Sequence, residues 1–92
     1  PYFDFSQEKV TISGIISDTN SNETLIGVSV YVAELNIGTY TNEYGFYSIT
    51  LPKGNYTILT SYIGFETLSE KIEINQILFQ IIRLKTFLQE MS

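Results

Sequence analysis

The chain has 92 residues, 43% of them hydrophobic and only 16% charged, which suits one small packed core and excludes both a two-domain enzyme and an intrinsically disordered chain. Five Lys and Arg against ten Asp and Glu leave a net charge of -5, which opposes the phosphate attraction on which nucleic-acid binding depends. With no His and no Cys, imidazole and thiolate metal sites, disulfides and His-activated nucleophiles are excluded as well.

Short alternating runs, separated by turn residues about every 8 to 12 positions, predict an all-β sandwich or barrel. Pro1 to Glu8 carries Tyr2, Phe3 and Phe5 without a period and reads as an N-terminal arm. The first strand runs from Val10 to Asp18, with Val10, Ile12, Gly14 and Ile16 on one face, and the polar run Asp18 to Asn22 supplies a loop. After Gly27, the residues Val28, Val30 and Val32 alternate with Ser29, Tyr31 and Ala33 as a second strand. A short third strand over Gly38 to Thr41, the turn Asn42-Glu43-Tyr44-Gly45 and a fourth strand from Phe46 to Leu51 read as a hairpin. Pro52-Lys53-Gly54-Asn55 is the next turn, followed by a fifth strand from Tyr56 to Ile63. Gly64 bends the chain into a sixth, where Glu70 shares a face with Leu68, Ile72 and Ile74, a phase that points to an edge or a bulge. The seventh, Ile77 to Leu84, is apolar in both phases, as expected of a strand covered on both sides or carrying a bulge. Residues 9–84 thus read as the domain, and 85–92, with no turn residue and no strand left to pair with, as a linker leading elsewhere. Gly27, Gly45, Gly54 and Gly64 fall where turns or bends call for a free φ.

The apolar run Ile77 to Ile82 is broken by Gln80 and closed by Arg83, short of the roughly 20 residues of a spanning helix, so the domain itself is expected not to cross a membrane. No secretory leader is legible after Pro1, and location has to be argued otherwise. Glu70 and Glu73 lie three apart on a strand and face opposite sides. They cannot flank one substrate bond, and neither enzyme activity nor a cofactor is expected. Asp18, Asn20, Asn22 and Glu23 make an oxygen-rich loop, but it lacks the Gly and bidentate Glu of a calcium loop, and Asx-turn bonding accounts for it. Tyr31, Tyr40, Tyr44, Tyr47 and Tyr62 are candidates for a platform that stacks on sugar rings, set against the ordinary role of strand aromatics in core and cross-strand packing.

Five segments appear in a familiar order. They are Ser13 to Asp18, Leu25 to Val32, Gly38 to Tyr47, Leu51-Pro52-Lys53-Gly54-Asn55-Tyr56-Thr57-Ile58, and Ser61-Tyr62-Ile63-Gly64-Phe65-Glu66. Together, over residues 11–74, they resemble the carboxypeptidase-D regulatory-like domain, which implies a seven-stranded antiparallel or mixed β-sandwich of transthyretin-like (prealbumin-like) form. Asn42 stands where that family usually has Asp; it can still close an Asx turn, while any role that needs charge there is lost.

The run Ser61 to Glu66 is similar to the form found at the N-terminus of Bacteroidetes TonB-dependent outer-membrane receptors of the glycan-importing type. The tail resembles the stretch that links this domain to the plug, with Leu88-Gln89-Glu90 at the start of the TonB-contacting segment and Met91 and Ser92 where Val-Val is commoner. The resemblance implies a non-catalytic accessory domain or folded spacer on the periplasmic side of the outer membrane, as part of a larger protein. Its implied partner is a TonB-family periplasmic protein or the receptor's own plug, through Leu88, Glu90, Met91 and Ser92. Three alternatives stay open. One is a carbohydrate-binding module that stacks a glycan on Tyr31, Tyr40, Tyr44 and Tyr62. Another is a pilin-type domain cross-linked between Lys9 and an Asn near the last strand. The third is the N-terminal domain of another outer-membrane protein.

Overall fold

Alternation at period two becomes seven strands in the computed structural model, which describes residues 8–87. They are β1 (Lys9–Asp18), β2 (Ser29–Val32), β3 (Ile37–Tyr40), β4 (Phe46–Pro52), β5 (Gly54–Ser61), β6 (Leu68–Ile74) and β7 (Leu78–Leu84). A three-stranded sheet in the order β4-β1-β7 packs on a four-stranded sheet in the order β3-β2-β5-β6. All pairings are antiparallel except that of β1 with β7, so the sandwich is mixed. The N-terminal arm apart from Glu8, and the tail residues from Leu88 onward, lie outside the described residues.

The inner faces predicted for the first, second, fifth and sixth strands are the observed ones, and the structure adds those of β4 and β7. Ile12 and Ile16 of β1, Val30 and Val32 of β2, Tyr47 and Leu51 of β4, Tyr56 and Ile58 of β5, Ile74 of β6, and Ile82 and Leu84 of β7 are buried together with Val28. Removing each such aliphatic side chain from water contributes about 1.5–3 kcal/mol, and these residues come from six of the seven strands, so one shared core holds the two sheets together. Glu70 faces inward opposite Ile58, as its phase predicts; the unbroken register between β5 and β6 shows that it sits on an edge strand and not at a bulge.

Four readings of strands and turns need correction. The third and fourth strands do not form a hairpin, because β3 belongs to one sheet and β4 to the other. Thr41 exchanges backbone bonds with Gly27 and Val28 at the end of the β2–β3 ladder, and the Asn42 carboxamide then accepts the N–H groups of Tyr44 (2.9 Å) and Phe46 (3.1 Å). This Asx-type corner turns the chain across the sandwich instead of back along it. The fifth strand stops at Ser61, since the Phe65 N–H bonds to the Tyr62 carbonyl (3.0 Å) and Gly64 takes φ +87°, closing a tight turn. Gly54 opens β5 without a positive φ. Finally, β7 is not covered on both sides: Phe79 and Ile81 of its outer phase, and Ile77 just before it, are exposed.

Lys85–Phe87, assigned by the sequence to an unpaired linker, finds a partner. The Glu66 N–H bonds to the Lys85 carbonyl (2.8 Å) and the Phe87 N–H to the Gly64 carbonyl (3.2 Å), around a bridge between Phe65 and Thr86. The loop that Gly64 bends therefore clasps the chain as it leaves β7.

Candidate interaction surfaces

The polar residues of the interior are mostly satisfied within the fold. The Tyr47 ring lies across Gly14, and its hydroxyl donates to Gln80 Oε1 at 3.0 Å, so that one side chain spans β4, β1 and β7. Burial, reinforced by the negative charge of Glu70, pushes the Tyr47 hydroxyl up to about 12. Thr41 Oγ1 donates to the Leu25 carbonyl (2.6 Å) and accepts the Val28 N–H (2.9 Å), and the Tyr56 hydroxyl donates to the Pro52 carbonyl (2.7 Å). These groups hold turns and strands; none stands beside a base that would activate it.

The carboxylates are likewise dispersed. Glu73 faces outward opposite Asn55, away from Glu70. Glu34 accepts the Thr57 N–H (2.7 Å) and hydroxyl (2.8 Å), which together hold its carboxyl below the usual range and extend the β2–β5 ladder past Val32. In the oxygen-rich loop, Asp18 Oδ1 accepts the Asn20 N–H (2.8 Å) as an Asx turn, and Asn22 Oδ1 accepts Arg83 Nη2. Among the described residues no group of three or more Asp and Glu is placed to hold a metal ion. Lys9, the candidate for a pilin-type cross-link, is exposed at the start of β1.

The candidate stacking tyrosines separate into distinct places. Tyr31 and Tyr40 stand on the outer face of neighbouring strands, Tyr31 opposite Gly38 and Tyr40 opposite Ser29, a diagonal pair within aromatic reach. Tyr31 donates to Asn36 Oδ1, and Tyr40 is 70% exposed. Tyr44 is exposed on the corner between β3 and β4, and Tyr62 packs on Phe65 with ring centroids 5.6 Å apart. Tyr47 is core, which removes it from the platform. The depression beside Tyr31 and Tyr40 holds about 230 Å³, below the range of roughly 300–1,000 Å³ common for enclosed ligand pockets.

The surface that sequence reasoning missed is the outer face of β7. Ile77, Phe79 and Ile81 are 78%, 53% and 64% exposed, and Ile81, Ile15 and Phe46 form one row across the sheet. Among the described residues no strand pairs with the other edge of β7, and Arg83 is its single charge. The double-phase apolar pattern was the available signal; it fitted burial on both faces equally well. Leu88, Glu90, Met91 and Ser92, the candidate partner-binding residues, lie outside the described residues.

Architecture and sheet order define a transthyretin-like β-sandwich domain that carries no assembled catalytic group among its described residues. Residues 12–92 match the family model described as the CarboxypepD_reg-like domain, and the chain belongs to that family. Comparison with curated proteins returned no match. Among solved structures, the chain is similar to a type II cohesin–X-dockerin complex from Acetivibrio cellulolyticus, with a TM-score of 0.74 and 16% identity over 84% of this chain and 58% of that one. It is also similar to a DUF3823 family protein from Bacteroides ovatus, with a TM-score of 0.65 and 20% identity over 87% of this chain and 45% of that one. A third likeness is to 3-chlorocatechol 1,2-dioxygenase from Rhodococcus opacus, with a TM-score of 0.65 and 9% identity over 88% of this chain and 60% of that one. The chain thus spans about half the length of the structures it matches, 58%, 45% and 60% in these three cases. Proteins of such different kinds share the sandwich, so the likeness gives the fold alone.

Proposed function

We propose that the domain is a non-catalytic accessory module of a TonB-dependent outer-membrane receptor, a folded unit that makes protein contacts on the periplasmic side. The contact role is carried by β7, whose edge is unpaired among the described residues and whose apolar outer residues Phe79 and Ile81, with Ile77 just before the strand, offer backbone groups and side-chain surface for an added strand. The receptor setting is supported by the run Ser61 to Glu66, similar to the form in such receptors, and by that run's position as the loop clasping Lys85–Phe87 on the way to the tail. A TonB-family protein or the receptor's own plug is the proposed partner.

The test is an immunoblot of fractionated native cells with antiserum raised to the domain. A heat-modifiable outer-membrane band far larger than 10.5 kDa supports the receptor reading; a small soluble band overturns it. The diagonal pair Tyr31 and Tyr40 favours one second reading, a glycan-binding face. Titration with soluble oligosaccharides should then perturb tyrosine fluorescence in the wild type and not in Tyr40→Ala, and an unperturbed wild type rejects it.

A further inference from the structure

The first and last strands of the fold lie side by side and run the same way. β1 and β7 pair in parallel over seven positions, from Ile12 with Leu78 to Asp18 with Leu84. The chain therefore enters this sheet at the pole where Lys9 meets Pro52 and leaves at the opposite pole, past Leu84. Tension applied through the flanking chain draws β1 and β7 in opposite senses along a common axis. The evenly spaced bonds of a parallel ladder then bear the load together, not one after another.

We infer that the domain is a load-bearing link, a shear clamp that passes tension between the chain before it and the chain after it without opening. The inference rests on strand order and direction and stands whether or not the receptor reading holds. Three features reinforce the clamp. β1 is the central strand, also paired with β4 over seven positions from Lys9 with Pro52 to Ile15 with Phe46, so sliding it shears two ladders at once. A slip of one residue would turn Ile12 and Ile16 outward, so the shortest slip that keeps the core is two residues, about 6.6 Å, with those side chains forced past buried neighbours. The Tyr47 side chain, bonded to Gln80 across Gly14, ties all three strands together at mid-height.

Each pole carries its own tie. At the entry, the Lys53 N–H bonds to the Glu8 carbonyl (3.0 Å) beside the Lys53–Glu8 ion pair at 3.3 Å. At the exit, the clasp of Lys85–Phe87 on Gly64–Glu66 lies between the clamp and the chain beyond, so it takes load before the ladder does.

The test is optical-tweezers unfolding of the same chain pulled in two directions. The sequence has no Cys, so engineered cysteines are unique attachment points. Handles on cysteines added before Pro1 and after Ser92 load β1 against β7 in shear. Handles before Pro1 and at Lys53→Cys pull antiparallel β1 and β4 apart from one pole and peel their bonds singly. Rupture of several bonds at once should need about twice the force or more at equal loading rate. Asn55→Cys with Glu73→Cys, exposed and directly opposed on β5 and β6, provides a second peeling geometry that spares the Lys53 turn. End-to-end forces equal to or below those of both peeling geometries would overturn the clamp.

Discussion

Gly14 is the place where the sheet tolerates least. A Cβ on it would stand 2.6 Å from the Gln80 backbone oxygen and 2.8 and 3.1 Å from two atoms of the Tyr47 ring. The ring could lift, but the Gln80 oxygen belongs to the neighbouring backbone, so Gly14→Ala has to widen the β1–β7 spacing or tilt β1. Overpacking of this kind costs about 1–3 kcal/mol. The strained Tyr47–Gln80 hydrogen bond adds about 1 kcal/mol, and the lower entropy of the unfolded alanine chain returns about 0.4–1. The expected net is a destabilisation of about 1–3.5 kcal/mol, read as a lower urea midpoint with unchanged slope in circular dichroism. Because Tyr47→Phe removes the bond that the alanine already strains, the double variant should be less destabilised than the sum of the singles by about 0.5 kcal/mol or more. A Gly14→Ala protein within 0.5 kcal/mol of wild type, or full additivity with Tyr47→Phe, would refute the reasoning.

Other substitutions separate backbone strain, titration and hydrogen bonding. Gly64→Ala meets nothing within 4 Å but must adopt φ +87°, so it should cost only about 1–2 kcal/mol in the same denaturation assay. Folded Tyr47 keeps its proton to about pH 12, whereas an unfolded tyrosine releases it near 10, so the unfolded state binds fewer protons in between. Stability from this group is therefore intact below pH 10 and falls by up to about 1.4 kcal/mol per pH unit as pH climbs toward 12; urea midpoints across that window should show a shallower decline in Tyr47→Phe. Thr41→Val leaves the Leu25 carbonyl and Val28 N–H without their side-chain partner and should lose about 2–3 kcal/mol by urea titration. Thr60→Val, at a buried hydroxyl with no hydrogen-bond partner among the described residues, should lose nothing and gain up to about 1 kcal/mol.

What could be read from the sequence follows the range of the signal. Alternation is a local property, and it located all seven strands and the inner faces of the first, second, fifth and sixth; the inward phase of Glu70 pointed to an edge or a bulge, between which only the strand order of the fold decides. Strand order is not local. Nothing near Tyr47 says that Gly14 and Gln80 will lie beside it, and nothing in Asn42 to Gly45 distinguishes a hairpin from a corner that changes sheets. Lys85–Phe87 escaped notice because its partner is the backbone of a loop, which leaves no side-chain period. Of the aromatic candidates, Tyr31 and Tyr40 are brought together because their strands are sequence neighbours, while Tyr44 and Tyr62 follow corners whose direction the sequence does not state. For β7, two apolar phases showed that both faces were greasy and left open what lies over the outer one.

The sheet order β4-β1-β7 also sets the timing of folding. In the four-stranded sheet, β2 with β3 and β5 with β6 are sequence neighbours, and these hairpins can close on short loops as the chain emerges. The other sheet has no such start: β1 waits for β4, and its second side stays open until the last strand, β7, has been synthesised. A nascent chain that stops short of Leu78 thus carries the buried face of Ile12 and Ile16 beside a vacant strand position, the surface on which misassembly begins. Pulse-labelled hydrogen exchange during refolding should protect Ile58 and Glu70 of the β5–β6 pair before Ile15 and Ile82 of the β1–β7 pair, with ribosomal release as the step that permits completion.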